Sequence, residues 1–412
     1  MNSTDTLYSH PLNKAVIIAG LGFFVDAFDL LLFNVLRVPS LKELGLTGDA
    51  LTRSGEYLLT MQMLGMIVGG IISGIIGDRR GRISVLFGSI LLYSLANLAN
   101  AWVNDVGTYA WIRFLSGVGL AGELGAGITL VSESMTIERR GYGTILVATL
   151  GACGAIAAGL VGDLLYWRTT YIIAGCAGLV LLFLRMSSLE PGMYKKITNQ
   201  KISKGSFRLL LSDPKRALRY FAFILAGVPI WYCVGMVINL SFELAQKFGI
   251  DGIRPATCFI LFQVGIATGD LSSGIISQRL KSRKRVLIGF MTFAMLITCF
   301  FFAALYFNLG YRALLSASLL LGFGCGYMSI FVTTAAESFG INLRVTVTAT
   351  VTNFMRGAIT LLIPLRMWIE NSFEFSLFQS LIAVGIVVFA LAIVAASSFQ
   401  ETYGRKLDYI EE

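Results

Sequence analysis

GIIGDR at residues 74–79 returns as GIISQR at 274–279, two hundred residues further along the chain. Each copy is followed by basic residues and then by an apolar run. A second echo pairs Glu133, Ser134, Arg140 and Thr144 with Glu337, Ser338, Arg344 and Thr348. Polar positions recurring at nearly equal offsets predict a chain built from two similar halves, and the apolar runs around them say what those halves are.

Of the 412 residues, 56% are apolar and only 14% charged, against roughly a quarter charged in an ordinary soluble domain. Mean hydropathy is +0.74. This is the composition of an integral membrane protein. Runs of about twenty apolar residues cross a bilayer core as helices, and twelve are expected: 14–36, 56–76, 83–103, 109–132, 142–162, 169–189, 217–241, 255–277, 285–307, 312–336, 345–369 and 373–398. The fold class is therefore all-α, with twelve transmembrane helices in two six-helix bundles related by pseudo-symmetry. The domains are an N-terminal bundle, 1–189, a basic cytoplasmic linker, 190–216, and a C-terminal bundle, 217–412. The first run has no small-residue cleavage site and reads as a retained span.

Arginine and lysine crowd the even-numbered connections: Arg79, Arg80 and Arg82, then Arg139 and Arg140, then Arg279, Lys281, Arg283, Lys284 and Arg285. By the positive-inside rule both termini are cytoplasmic. The formal charge of +9 is written into these loops and the linker, where anionic lipid headgroups account for it, so nucleic acid is not an expected partner. The six cysteines lie in apolar runs without Cys-x-x-Cys spacing and read as small buried hydrophobes rather than zinc ligands or disulfides. The one histidine, His10, lies in the polar N-terminal tail, which excludes a histidine metal site or catalytic triad. No phosphate-cradling glycine motif is present, so neither an enzyme nor an ATP-driven pump is expected, and no cofactor or metal.

The stretch GGIISGIIGDRRGR, residues 69–82, resembles the loop signature of the major facilitator superfamily, with Asp78, Arg79, Gly81 and Arg82 on its polar positions. RFLSGVGLAGE, 113–123, and ESMTIERRG, 133–141, look like the fourth helix and its cytoplasmic end in the phosphate, sugar and metabolite proton symporters. GFFVDAFDLLLF, 22–33, is similar to the first helix of the phosphate and aromatic-acid proton symporters. The seventh run holds no lysine, which phosphate symporters carry there, and the fifth lacks the proline of drug antiporters. The resemblance implies alternating access, a substrate site at the interface of the halves, and a cytoplasmic gate built from Asp78, Arg79, Gly81 and Arg82 with Glu133, Arg140, Glu337 and Arg344.

Charge inside the membrane carries the functional expectation, since intramembrane ionisable residues are costly and mark ion or substrate paths. Asp26 and Asp29, three residues apart, share one helix face. Two like charges in a low dielectric cannot both ionise cheaply, so one is expected to hold a proton near neutral pH. Glu123 and Arg113 on the fourth helix are their expected partners, Arg113 tuning the acids or else forming a fixed ion pair. Arg356 falls within the eleventh run and offers a planar fork of donors to an anion, or a partner to Asp270. Asn353, Gln263 and Asn239 could add neutral hydrogen bonds. The expected function is proton-coupled symport of a small anionic metabolite by a monomer in the bacterial inner membrane, its partners the substrate, protons and lipid. Export of a siderophore or other metabolite, or a transporter-like sensor, are the alternatives.

Overall fold

A computed structural model describes residues 14–80, 82–121, 140–188 and 207–403, and the described residues are helical apart from turns. In hydrocarbon every backbone N–H and C=O must be paired inside its own segment, which a helix does and an open strand does not. Seven helical segments among the described residues are long and apolar enough to cross a membrane, with shorter apolar helices at Val85–Asn100 and Thr149–Leu164.

The chain divides into two compact units, Met1–Ile202 and Ser203–Glu412. In the first, α1 is Lys14–Glu43, α2 Gly48–Arg80, α3 Arg82–Asn100, α4 Val106–Leu120, α5 Arg140–Leu164 and α6 Trp167–Ser188. In the second, a short α7, Phe207–Ser212, precedes α8, Pro214–Tyr232, which passes into a π-helical turn, Cys233–Ile238. Then come α9 Ser241–Lys247, α10 Pro255–Leu280, α11 Arg283–Tyr306, α12 Tyr311–Cys325, α13 Met328–Ser338, α14 Ile341–Gly357, α15 Ile359–Phe373 and α16 Leu377–Ser397. The end of the expected linker is thus helical, with Asp213 capping α8 by accepting the Lys215 N–H and Pro214 in the first turn.

The packing scheme is the same in both units. In the first, α1 packs on α5 and α6, α2 on α4, and α3 on α4 and α6. In the second, α8 packs on α14 and α16, α10 on α12, and α11 on α12 and α16. Glycine sets the closest approach in each. A Cβ on Gly65 or Gly69 would strike the carbonyl oxygens of Phe114 or Val118, and one on Gly117 that of Gln62. In the second unit Gly265, Gly269 and Gly322 meet the carbonyls of Leu319, Phe323 and Phe262 in the same way. The duplication in the sequence is therefore a duplicated helix contact, where small residues let backbones touch without a hydrophobic driving force between helices.

Three expected spans differ in detail. The tenth, 312–336, is two helices separated by Gly326 and Tyr327, because Gly326 lies against the backbone of Gly269 and Asp270, and Asp270 caps the second piece. The eleventh, 345–369, breaks at Ala358. There Leu361 N–H bonds to Ala358 rather than to Gly357, whose carbonyl accepts the Thr360 hydroxyl at 2.7 Å. The first and second extend beyond their expected ends, α1 to Glu43 and α2 back to Gly48. The cysteines also divide. Cys233, Cys258 and Cys325 are buried, whereas Cys153, Cys176 and Cys299 lie on the helix surface, a position open to a thiol when the surroundings are apolar.

Candidate functional site

In the first unit, the polar face of α1 is a single stripe. Asp26, Asp29, Phe33, Arg37 and Ser40 follow one another at steps of three or four residues, so they line one side of the helix, and all are buried. Asp26 is 6% exposed and Asp29 1%. Arg113 of α4 is fully buried above this stripe, its guanidinium 5.1 Å from the centre of the Phe33 ring, one helical turn along α1 from Asp29. Its hydrogen bonds among the described residues go to neutral oxygens, the Tyr171 hydroxyl at 3.1 Å and the Ser116 hydroxyl at 3.3 Å. Among the described residues the cation is thus held by tyrosine and serine hydroxyls.

Arg37 and Glu56 escaped the sequence reading because they fell at or beyond the expected span ends, yet they are 0% and 1% exposed. The Arg37 side chain lies along Gly55, so close that a Cβ there would come within 2.9 Å of its Nη1. A glycine beside a buried acid, Gly55–Glu56, is the local signal that an arginine stem crosses there.

Where the first unit's connections meet, Glu43 accepts from the Tyr166 hydroxyl and the Trp167 indole, both at 2.7 Å, and from Arg168 at 3.2 Å. Arg168 also donates to the carbonyls of Ala101 and Val103 and stacks on Trp167 at 4.2 Å. The Tyr166 hydrogen bond, then those from Trp167 and Arg168, hold the Glu43 carboxyl below the usual carboxylate range.

In the second unit, Arg356 ends α14, where a cation meets the negative end of the helix dipole. It is 6% exposed, and its guanidinium lies 5.3 Å from the centre of the Trp231 ring. Asn353, one turn earlier on the same face, is buried, as are Gln263 of α10 and Asn239 just after the π-helical turn. The Gln263 amide nitrogen and the Trp231 indole N–H are buried donors without an acceptor among the described residues. In the sequence Trp231 could line a pocket but reads first as packing or lipid contact, as an aromatic in an apolar run does. Its neighbourhood carries a signal nonetheless: Pro229 followed by a π-helical turn, a feature frequent at functional sites.

Asp270 does not pair with Arg356. Its carboxylate accepts from the Ser329 N–H at 2.7 Å and from the Ser329 hydroxyl, and so closes the start of α13.

Of the expected gate residues Gly81 and Glu133 lie outside the described residues, as does Glu123 of the expected proton site. Asp78 and Arg79 stand in the last turn of α2, Arg82 opens α3 and Arg140 opens α5. Glu337 forks with Arg283, at 3.3 and 3.4 Å, and accepts from Thr402 at 2.7 Å, while Arg344 donates to the Ala336 carbonyl at 2.8 Å. Glu401 joins the cluster through Ser282 and the Arg283 N–H. Burial pushes the Glu401 carboxyl up, but hydrogen bonds from Ser282 and from the N–H groups of Arg283, Tyr403 and Thr402 prevail and leave it below the usual range. Among the described residues no three metal-ligating side chains converge.

The comparisons agree with this architecture. The niacin transporter of Acinetobacter baylyi is 24% identical over 95% of this chain and 95% of its own length. The 3-(3-hydroxy-phenyl)propionate transporter of Escherichia coli is 28% identical over 55% of this chain and 56% of its own. The crystal structure of a D-xylose-proton symporter superposes with a TM-score of 0.72 at 15% identity, covering 96% of this chain and all of that one, and fixes the fold as two six-helix bundles of twelve transmembrane helices. The sequence profile of the Major Facilitator Superfamily matches residues 19–364, and the chain belongs to that superfamily of membrane transporters.

Proposed function

We propose that this transporter is a proton-coupled symporter of a small carboxylate, working by alternating access in the bacterial inner membrane with both termini in the cytoplasm. Asp26 and Asp29, with Glu123, take up and release the proton, and Arg113 biases them. Arg356 holds the anion, assisted by Asn353, Gln263 and Asn239. Asp78, Arg79, Gly81 and Arg82 latch the cytoplasmic side with Glu133, Arg140, Glu337 and Arg344.

The observation that carries the reading is the burial of two carboxylates on one face of α1, at 6% and 1% exposure. Both cannot be ionised there without a large desolvation cost, so one that takes a proton and gives it back is the economical arrangement. Support for an anionic substrate is the guanidinium of Arg356 over the Trp231 ring, whose buried indole N–H has no acceptor among the described residues. A flat apolar wall next to a cation suits a carboxylate carried on a ring. Niacin and 3-(3-hydroxyphenyl)propionate, the compounds for which the two relatives are named, both have that form.

The test is uptake of those two acids into proteoliposomes under an imposed pH gradient. Asp26→Asn is expected to abolish gradient-driven accumulation while leaving exchange of internal for external substrate partly intact. Accumulation by that variant with its full dependence on the gradient would remove the proton role from Asp26.

A further inference from the structure

The helix break between α12 and α13 is shaped by Gly326 and held from outside by Asp270 of α10. Gly326, at φ −78° and ψ 60°, is the centre of an inverse γ-turn, closed by the Tyr327 N–H on the Cys325 carbonyl at 2.9 Å. In an unbroken helix the N–H groups of Met328 and Ser329 would go to the carbonyls of Gly324 and Cys325, four residues back. Here both turn to the Asp270 carboxylate, Ser329 at 2.7 Å, and the Ser329 hydroxyl joins them. Tyr327, the residue before α13, supplies no cap of its own, because its hydroxyl donates to the Ala226 carbonyl of α8 at 3.2 Å. A Cβ on Gly326 would strike the backbone of Gly269 and Asp270, and one on Gly269 the Phe323 carbonyl, so two glycines seat the turn directly on α10.

Asp270 therefore competes with two backbone carbonyls for the same N–H groups. An ionised carboxylate wins, since a hydrogen bond to a charged acceptor is about twice as strong as one between neutral groups. A protonated carboxyl has lost the charge and one acceptor site, and its own O–H can go to the Ser329 hydroxyl, which both gives and receives. Two states of the acid thus favour two states of the helix. Ser329 is exposed and Asp270 half-buried, which leaves the carboxylate within reach of a proton.

Among the described residues no ion pair fixes this carboxylate. α9 meets α10 at Cys258, through Ser241, about three turns from Asp270, and its charged residues, Glu243 and Lys247, belong to that end. Arg283, Lys284 and Arg285 open α11, where Arg283 donates to Ser277, about two turns beyond Asp270, and to Glu337 of α13, and Lys284 to the Ser397 carbonyl. Arg312 stands in the first turn of α12, against Tyr311, at the end away from the break. The titratable groups at the break itself are Cys325 and Tyr327, which flank Gly326, with Cys233 of the π-helical turn against Cys325. All three are buried and neutral near pH 7.

We propose that Asp270 is a proton-binding residue of the second unit, whose ionised form holds the break between α12 and α13 and whose protonated form lets residues 311–338 run as one helix. By reciprocity, a state of the transporter that straightens this helix takes donors from the carboxylate and tightens its hold on the proton. Tyr327 passes the change to α8, where Ala226 lies five residues before Trp231. The proposal goes beyond the role given to the acids of α1 and does not depend on it.

The experiment uses the purified full-length protein in detergent, with spin-labelled unnatural amino acids at Ser316 of α12 and Ala336 of α13, so that the native thiols are left alone. Twenty residues of unbroken helix span about 30 Å. Double electron–electron resonance is expected to show the population at that separation growing as pH is lowered from about 8 to about 5. In Asp270→Asn that population should dominate at both pH values. Asp270→Glu, which keeps a titrating carboxyl, should keep a pH response, and so should Asp26→Asn, which separates the effect from the acids of α1. A wild-type distance distribution that does not respond to pH overturns the proposal whether or not Asp270→Asn folds. So does a response that survives in Asp270→Asn, or one that disappears in Asp26→Asn.

Discussion

The Asp270 carboxylate of α10 accepts the backbone N–H of Ser329 at 2.7 Å and the hydroxyl of the same residue, so that one helix caps the start of another. A helix N-terminus has orphan N–H groups and a partial positive charge, and a carboxylate from outside satisfies both. The stretch 311–338 can therefore break at Gly326 and Tyr327 without leaving polar backbone bare in an apolar surrounding. Asp270→Ala should destabilise the protein by about 1–2 kcal/mol, the usual cost of losing a cap. Ser329→Ala, which leaves the N–H bond in place, should cost less. Thermal unfolding in detergent reads both, and equal losses would mean that the hydroxyl carries the contact.

The repeated glycine contact makes a sharper pair. Gly265 has the Leu319 carbonyl where its Cβ would be, whereas Gly274 on the same helix has nothing within 4 Å. Gly265→Val must push α10 off α12, and overpacking of this kind costs about 1–3 kcal/mol or more. Gly274→Ala meets open space and should gain up to about 1 kcal/mol in helix propensity. Expression-level size-exclusion profiles and melting temperatures separate the two, and a tolerated Gly265→Val would show that the helices do not touch there.

How far this was legible in the sequence follows from where each signal lies. Helix existence was readable because hydrocarbon admits little else at twenty apolar residues, and the internal duplication was readable because GIIGDR at 74–79 returns as GIISQR at 274–279. The breaks at Gly326 and Ala358 were not readable. The first depends on Asp270, more than fifty residues away, and the second on which of two neighbouring carbonyls a single N–H selects. Arg113 was marked as a membrane-depth cation, but its partner Tyr171 lies on another helix and reads as one aromatic among many. Glu337 was marked through its echo of Glu133, but its partner Arg283 lies across the turn between α10 and α11 and is set by the fold rather than by that echo.

The Glu43 cluster predicts a pH dependence with a definite sign. Hydrogen bonds from Tyr166 and Trp167, with Arg168 beside them, lower the Glu43 carboxyl in the folded protein. A carboxylate lowered on folding adds stability above its unfolded value, about 4.3, and loses that contribution as pH falls through the folded value. Wild type should thus be more stable than Glu43→Gln at pH 7, and the difference should shrink below about pH 4. Melting temperatures across that range test it. A gap that persists unchanged at acid pH would assign the loss to packing of the Glu43 side chain and not to its charge.

Arg356 is where substrate chemistry can be read most directly. In the proposed role its fork would give two parallel N–H bonds to a carboxylate, and its guanidinium carbon lies over the Trp231 ring, 5.3 Å from the ring centre. Lysine keeps the charge but offers neither the fork nor the plane, so Arg356→Lys separates geometry from electrostatics. Losing one charge-assisted hydrogen bond costs about 1.5–3 kcal/mol, which corresponds to a rise in KM of about tenfold or more for niacin or 3-(3-hydroxyphenyl)propionate uptake. The maximal rate should change less, because the contact serves the bound anion throughout. Trp231→Leu should weaken ring-bearing acids more than acetate, since only the former use the indole wall. If Arg356→Lys left KM unaltered while Arg356→Gln raised it, the arginine would be acting as a point charge, and a forked carboxylate would have to be abandoned.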